Sequence, residues 1–156
     1  GMATVVYGCT ARAALFPTIP HRLCLAGHTT MSTTSQKRGI VLFAHGSRDP
    51  LWHKPMEAVA RCIQESQADA QVLCAYLELS TPDLPTAMAT LVERGIGAIT
   101  IVPMFLGVGK HAREDLPQLV AQLKQAHSDV QFSLQPAVGE NPRLISLLAD
   151  IALDKN

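Results

Sequence analysis

Four short apolar runs recur along this chain, separated by segments with the spacing of amphipathic helices. The runs are residues 39–44 (GIVLFA), 70–79 (AQVLCAYLEL), 98–106 (AITIVPMFL) and 130–136 (VQFSLQP). The first and third are apolar almost throughout, as strands covered on both faces are. The segments 55–66, 83–95, 112–127 and 141–153 show helical spacing. Their punctuation agrees: Pro55 suits a first helical turn, Asp83 reads as an N-cap and Gly95 as a stop. The third helical segment carries acids at its start and Lys124 and His127 near its end, as the helix dipole favours. Such a β-α-β-α-β-α-β-α alternation predicts an α/β fold, an open four-stranded parallel sheet with helices on both faces.

The expected strand order is 2-1-3-4, flavodoxin-like, with a crevice where the winding reverses between strands 1 and 3. The composition, 47% hydrophobic and 17% charged, supports a substantial core, and the 4% aromatic content makes that core aliphatic. Thirteen basic residues balance thirteen acidic ones, which argues against general nucleic-acid or membrane binding. The four cysteines, Cys9, Cys24, Cys62 and Cys74, match no zinc or iron–sulfur spacing. Cys62 and Cys74 fall in apolar elements and are expected to be buried, and the setting to be reducing and cytoplasmic.

Residues 1–38 read differently from the rest. They contain Arg12, Arg22, Arg38, His21 and His28 but no acid, the first being Asp49. This composition is that of a transit peptide, yet "MSTTSQKRGIVLFAHG" reads as a natural beginning, making Met31 the better candidate start. The expected organisation is therefore an N-terminal extension over 1–38, disordered or belonging to a mis-assigned start, and one α/β domain over 39–156.

In open α/β sheets, ligands bind beyond the carboxyl ends of the strands. Strand 1 runs into His45, Gly46, Ser47, Arg48 and Asp49, strand 2 into Glu78, Ser80 and Thr81, and strand 3 into "LGVGKHARED" with Lys110, His111 and Arg113. His45, Glu78 and His111 are spaced 33 residues apart in each step, one βα unit. With neighbouring strands ~4.8 Å apart, the three side chains are expected to meet above one sheet edge. Imidazole and carboxylate together suit Fe²⁺, Co²⁺, Ni²⁺ or Zn²⁺.

Competing motif readings are weaker. "GVGK" has Met104 and His111 where a Walker loop needs Gly and Ser or Thr, so nucleotide hydrolysis is not expected. "HGS" lacks the G-x-S-x-G pattern of a nucleophile elbow. A phosphohistidine enzyme also begins at a strand-end histidine, usually with an arginine directly before it, but here that residue is Ala44.

Together "LFAHGSRDP", "YLELSTPDLP", "VPMFLGVGKHAREDLP" and "QPAVGENPRL" resemble the short CbiX-type sirohydrochlorin chelatases over residues 38–153. The resemblance implies a class II chelatase of cobalamin or siroheme biosynthesis that inserts Co²⁺ or Fe²⁺, with Ni²⁺ also possible, into a tetrapyrrole. Without a phosphate-binding loop no ATP requirement is expected, and no cofactor beyond the substrate metal. His45 matches the family's first histidine, a metal ligand and proton acceptor, and His111 its second metal-binding histidine. Glu78 is expected to assist as ligand or charge partner. Leu106, Gly107, Val108, Gly109 and Lys110 match the segment lining the tetrapyrrole, and Ser47, Arg48, Thr81 and Arg113 are further candidates for substrate contact. Where members often carry a second acid before the proline of the strand 2 loop, this chain has Thr81 before Pro82. Short members generally pair as homodimers around one cleft. A non-catalytic metal or tetrapyrrole carrier and a histidine-phosphatase-like enzyme are the alternatives.

Overall fold

The computed structural model describes residues 37–155. The expectations for the N-terminal extension, with Cys9, Cys24 and the start at Met31, lie outside the described residues. Arg38–Ala44 form β1, Gln71–Tyr76 β2, Ala98–Pro103 β3 and Gln131–Leu134 β4, joined in the order β2-β1-β3-β4. All three pairings are parallel, as the alternation requires. The helices are α1 (Pro50–Ser66), α2 (Leu84–Glu93), α3 (Lys110–Ala126) and α4 (Pro142–Ala152).

The apolar run of β1 is explained by its two burial partners. Val41 and Phe43 pack with Leu84, Met88 and Leu91 of α2 and with Val120 and Leu123 of α3. Leu42 and Ala44 alternate onto the other face, against Met56 of α1 and against Val72 and Tyr76 of β2. A strand buried on both faces has no polar side, which is why the periodicity of two vanishes from its sequence.

Helix boundaries follow the caps. Asp83 caps α2, its carboxylate accepting from the Thr86 N–H at 2.9 Å, and Gly95 takes φ +78° just beyond the helix. Asn141 caps α4 in the same way, through the Arg143 N–H. Two starts differ from expectation. Helix α1 begins at Pro50 behind an Asp49 cap that accepts from the Leu51 N–H at 2.9 Å, which leaves Pro55 inside the helix. An Asp-Pro pair supplies both cap and first-turn residue, a stronger start than Pro55 alone. Helix α3 begins at Lys110, so its first turn holds no acid and Glu114 and Asp115 fall in the second. Lys124 does lie in its last turn.

The cysteine expectation also needs correction. Cys62 is exposed and Cys74 is half-buried, both as free thiols. On α1 the core-facing residues are Met56, Ala60 and Ile63, and Cys62 lies off that stripe. Val138–Glu140 form a single 3₁₀ turn that the sequence reading did not assign. Among the described residues no helix is long and apolar enough to cross a membrane.

Two stability outcomes are expected. Leu91 is 0% exposed at the centre of the α2–α3 face, so Leu91→Ala should cost about 2–5 kcal/mol in a denaturant melt; a smaller loss would mean that the cavity collapses. The Thr86 hydroxyl and N–H hold the Asp83 carboxyl below its ordinary value. A depressed folded value gives stability that is present at neutral pH and lost as pH falls through it. Asp83→Ala should therefore lower the melting temperature at pH 7, and the gap to wild type should close on acidification; a gap constant with pH would discount the cap.

Candidate active site at the carboxyl edge of the sheet

Past Ala44 the chain leaves the sheet under tight constraint. Gly46 has φ +99°, and a Cβ there would collide with the carbonyl oxygen of Glu78. Only glycine tolerates both that dihedral and that approach. The two loops are then laced together. The Ala44 and His45 carbonyls accept from the N–H groups of Leu77 and Glu78, both at 2.9 Å. The Ser47 N–H donates to Ser80 Oγ at 3.0 Å, and Ser80 Oγ donates to the Ser47 carbonyl at 2.8 Å.

On the other flank, Phe105 continues β3. The register Phe43–Pro103, carried two steps on, brings Phe105 level with His45, and the two rings lie 4.5 Å apart, tilted by 52°. Phe105 is buried. It also lines a cavity of about 340 Å³ with Phe43, Leu77, His111, Asp115 and Leu119. His45 and His111, both exposed, are thus joined through one aromatic floor.

Glu78 does not complete the expected trio. Among the described residues, no three side chains of His, Cys, Asp or Glu come together to hold a metal ion. The reason is register. β1 and β2 pair Ala44 with Tyr76, an offset of 32 residues, so His45 aligns with Leu77 and Glu78 falls opposite Gly46. A spacing of 33 is one residue out, and in extended chain one residue reverses the side of the sheet to which a side chain points. Leu77 lines the cavity with His111; Glu78 meets His45 through its backbone.

The remaining expected residues surround this centre. Ser47 is half-buried, and Arg48 and Thr81 are exposed. Leu106, Gly107, Gly109 and Lys110 are exposed, while Val108 packs against the core. Nothing lies within 4 Å of a Cβ built on Gly107 or Gly109, so this loop faces open space. Lys110 pairs with Glu114 at 3.9 Å, one helical turn on, an exposed contact worth at most about 1 kcal/mol. Arg113 lines a separate 310 Å³ cavity with Phe105, Val108 and Glu140, not the one beside His111.

Several residues escaped the sequence reading. Phe105 and Leu77 follow from strand register, whereas Asp115 lies on α3, one helical turn after His111. His53, on α1, places Nε2 3.0 Å from the Ser47 carbonyl. Gly139 lets the 3₁₀ turn press on the Leu106 carbonyl, where a Cβ would collide, and its N–H donates to the Phe105 carbonyl at 2.9 Å. Tyr76, buried at the end of β2, has its hydroxyl pushed up to about 12, chiefly by burial, so it stays neutral.

Comparison with known proteins agrees with this architecture. A putative cobalamin biosynthesis CbiX protein of Marinobacter aquaeolei is 35% identical, with a TM-score of 0.65 over 76% of this chain and 96% of its own. The sirohydrochlorin chelatase SirB of Bacillus subtilis, solved in complex with cobalt, is 22% identical and shares the fold with a TM-score of 0.64; the match spans 76% of this chain and 51% of SirB. A sirohydrochlorin cobaltochelatase of Methanothermobacter thermautotrophicus is 32% identical over 89 residues, 57% of this chain and 62% of that enzyme, less than two thirds of its length. The CbiX family model matches residues 39–154. With the sheet order, the histidines at the end of β1 and the start of α3, and this match in hand, the chain belongs to the CbiX family.

Proposed function

We propose that this chain is a metal chelatase that inserts a divalent ion, Co²⁺ or Fe²⁺, into sirohydrochlorin or a closely related tetrapyrrole. One observation carries the reading: two exposed imidazoles flank Phe105, beside an apolar cavity, at the carboxyl edge of the sheet. A flat macrocycle needs an apolar surface to lie against, and an ion in transit needs donors that let go. Two imidazoles bind such ions without the grip of a thiolate cage, and the strand ends carry no cysteine.

In this reading His45 and His111 hold the substrate metal while the ring nitrogens replace them stepwise. Two pyrrole N–H bonds break, and four metal–nitrogen bonds to the ring replace the bonds to the protein donors. The two protons released pass to the imidazoles and on to solvent, so the dipositive ion is matched by the dianionic ring. An imidazole nitrogen freed of the metal has a lone pair with which to take up such a proton. Arg48, Lys110 and Arg113 face solvent around the edge, where they meet the carboxylates of the substrate. Ser47, Thr81 and the 106–110 loop complete the contact surface. Glu78 acts mainly through its N–H, which fixes the His45 carbonyl. No step calls for a nucleotide.

The chain works as a homodimer in a reducing cytoplasm. α4 has eleven residues and none buried. Ile145, Leu147, Leu148 and Ile151 on it, with Leu153 beyond, are 40–64% exposed. The match covers 51% of SirB, and a second copy of this chain, seated on α4, stands in for the rest.

Two experiments test the reading. Incubated with sirohydrochlorin and Co²⁺, the protein should metallate many rings per chain, and His45→Ala and His111→Ala should each lower the rate at least about 100-fold. A yield that stops near one ring per chain would make it a carrier, and full activity in His45→Ala would remove the assignment. In sedimentation, the wild type should run as a dimer and Ile151→Glu as a folded monomer; a monomeric wild type would overturn the second-copy reading.

A further inference from the structure

Three elements converge on one backbone carbonyl beside the candidate centre. The Ser47 carbonyl lies 2.8 Å from Ser80 Oγ and 3.0 Å from His53 Nε2. Ser80 Oγ has one proton, given to that carbonyl, while its lone pair accepts the Ser47 N–H at 3.0 Å. The 3.3 Å approach of Ser80 Oγ to His53 Nε2 therefore has no hydroxyl proton to use. The set closes only if Nε2 carries the imidazole hydrogen and donates it to Ser47.

The ring of His53 is fixed from its sides. It stands edge-on to Tyr76 at 4.9 Å and to Trp52 at 5.5 Å. These contacts tie α1 to the end of β2, and His53 carries that fixity onto the loop leaving β1. The geometry matters because Gly46 separates His45 from Ser47 with a positive φ. A glycine in this position is a pivot unless both sides are held. The Glu78 N–H holds the His45 side, and Ser80 with His53 hold the Ser47 side.

We propose that His53 is a positioning residue: it donates from Nε2 to the Ser47 carbonyl and so fixes the loop that presents His45. The inference rests on the reading of His45 as the residue that handles metal and proton, but the loop anchor itself is testable without any activity. His53 touches neither Phe105 nor the cavity beside His111, so its effect on chemistry passes through the loop.

The test uses the full chain with two substitutions. His53→Phe keeps a flat ring against Tyr76 and Trp52 and removes the donor; His53→Gln keeps an amide donor. Far-ultraviolet circular dichroism and melting establish that both variants fold. Amide exchange of Glu78, whose N–H donates to His45 across the pivot, should speed up in His53→Phe and return toward wild type in His53→Gln. Chelation of Co²⁺ by sirohydrochlorin should show kcat lowered about 10- to 100-fold in His53→Phe, with KM little changed and most of kcat recovered in His53→Gln. Unchanged exchange at Glu78 in His53→Phe overturns the proposal whatever the activity. Equal losses in both variants also overturn it, because the ring rather than the donor would then be responsible. If the wild type shows no chelation at all, the function reading fails while the exchange result still decides the anchor.

Discussion

The carboxyl edge of this molecule is organised by the position of β1 between β2 and β3, hydrogen-bonded on both sides. A strand so placed has neighbours at both flanks when it ends. Its exit loop inherits partners from each: Leu77 and Glu78 on one side, Phe105 on the other. The burial that makes β1 apolar on both faces is thus the same constraint that delivers His45 to a defined point. Were β1 an edge strand, the histidine would have support from one side only.

Much of the fold was legible where a helix marks its ends chemically. Asp83 reads as a cap and caps α2 in the structure, and Gly95 stops α2 by adopting a dihedral that other residues avoid, whereas α3 starts behind Gly109 with no side-chain cap. The misjudged start at Pro50 has a definite origin. Pro55 was given weight as a first-turn residue, yet it sits inside a helix whose beginning is set upstream by Asp49 and Pro50. The exposed Cys62 follows from the same helix: hydrophobic character alone does not say which side of α1 a residue takes.

The residues proposed for the site could be named from the sequence, but their register could not. Counting βα units placed His45, Glu78 and His111 at even intervals, whereas the sheet pairs its first two strands at an offset of 32. No local signal reports that offset, since it depends on how turns of different length close against the sheet. The correct level brings Leu77 and Phe105, two apolar side chains, to the histidines. The result is two exposed imidazoles, one against Phe105 and the other lining an apolar cavity with it. His53 was hidden for a related reason, because its partner is a main-chain oxygen, which carries no sequence signature.

The short turn at Val138–Glu140 joins two regions that look unrelated in the chain. Its glycine lies flat against Leu106, and the asparagine that ends the turn caps α4. Whatever seats the terminal helix therefore also bears on the loop that begins at Leu106, through a turn only three residues long.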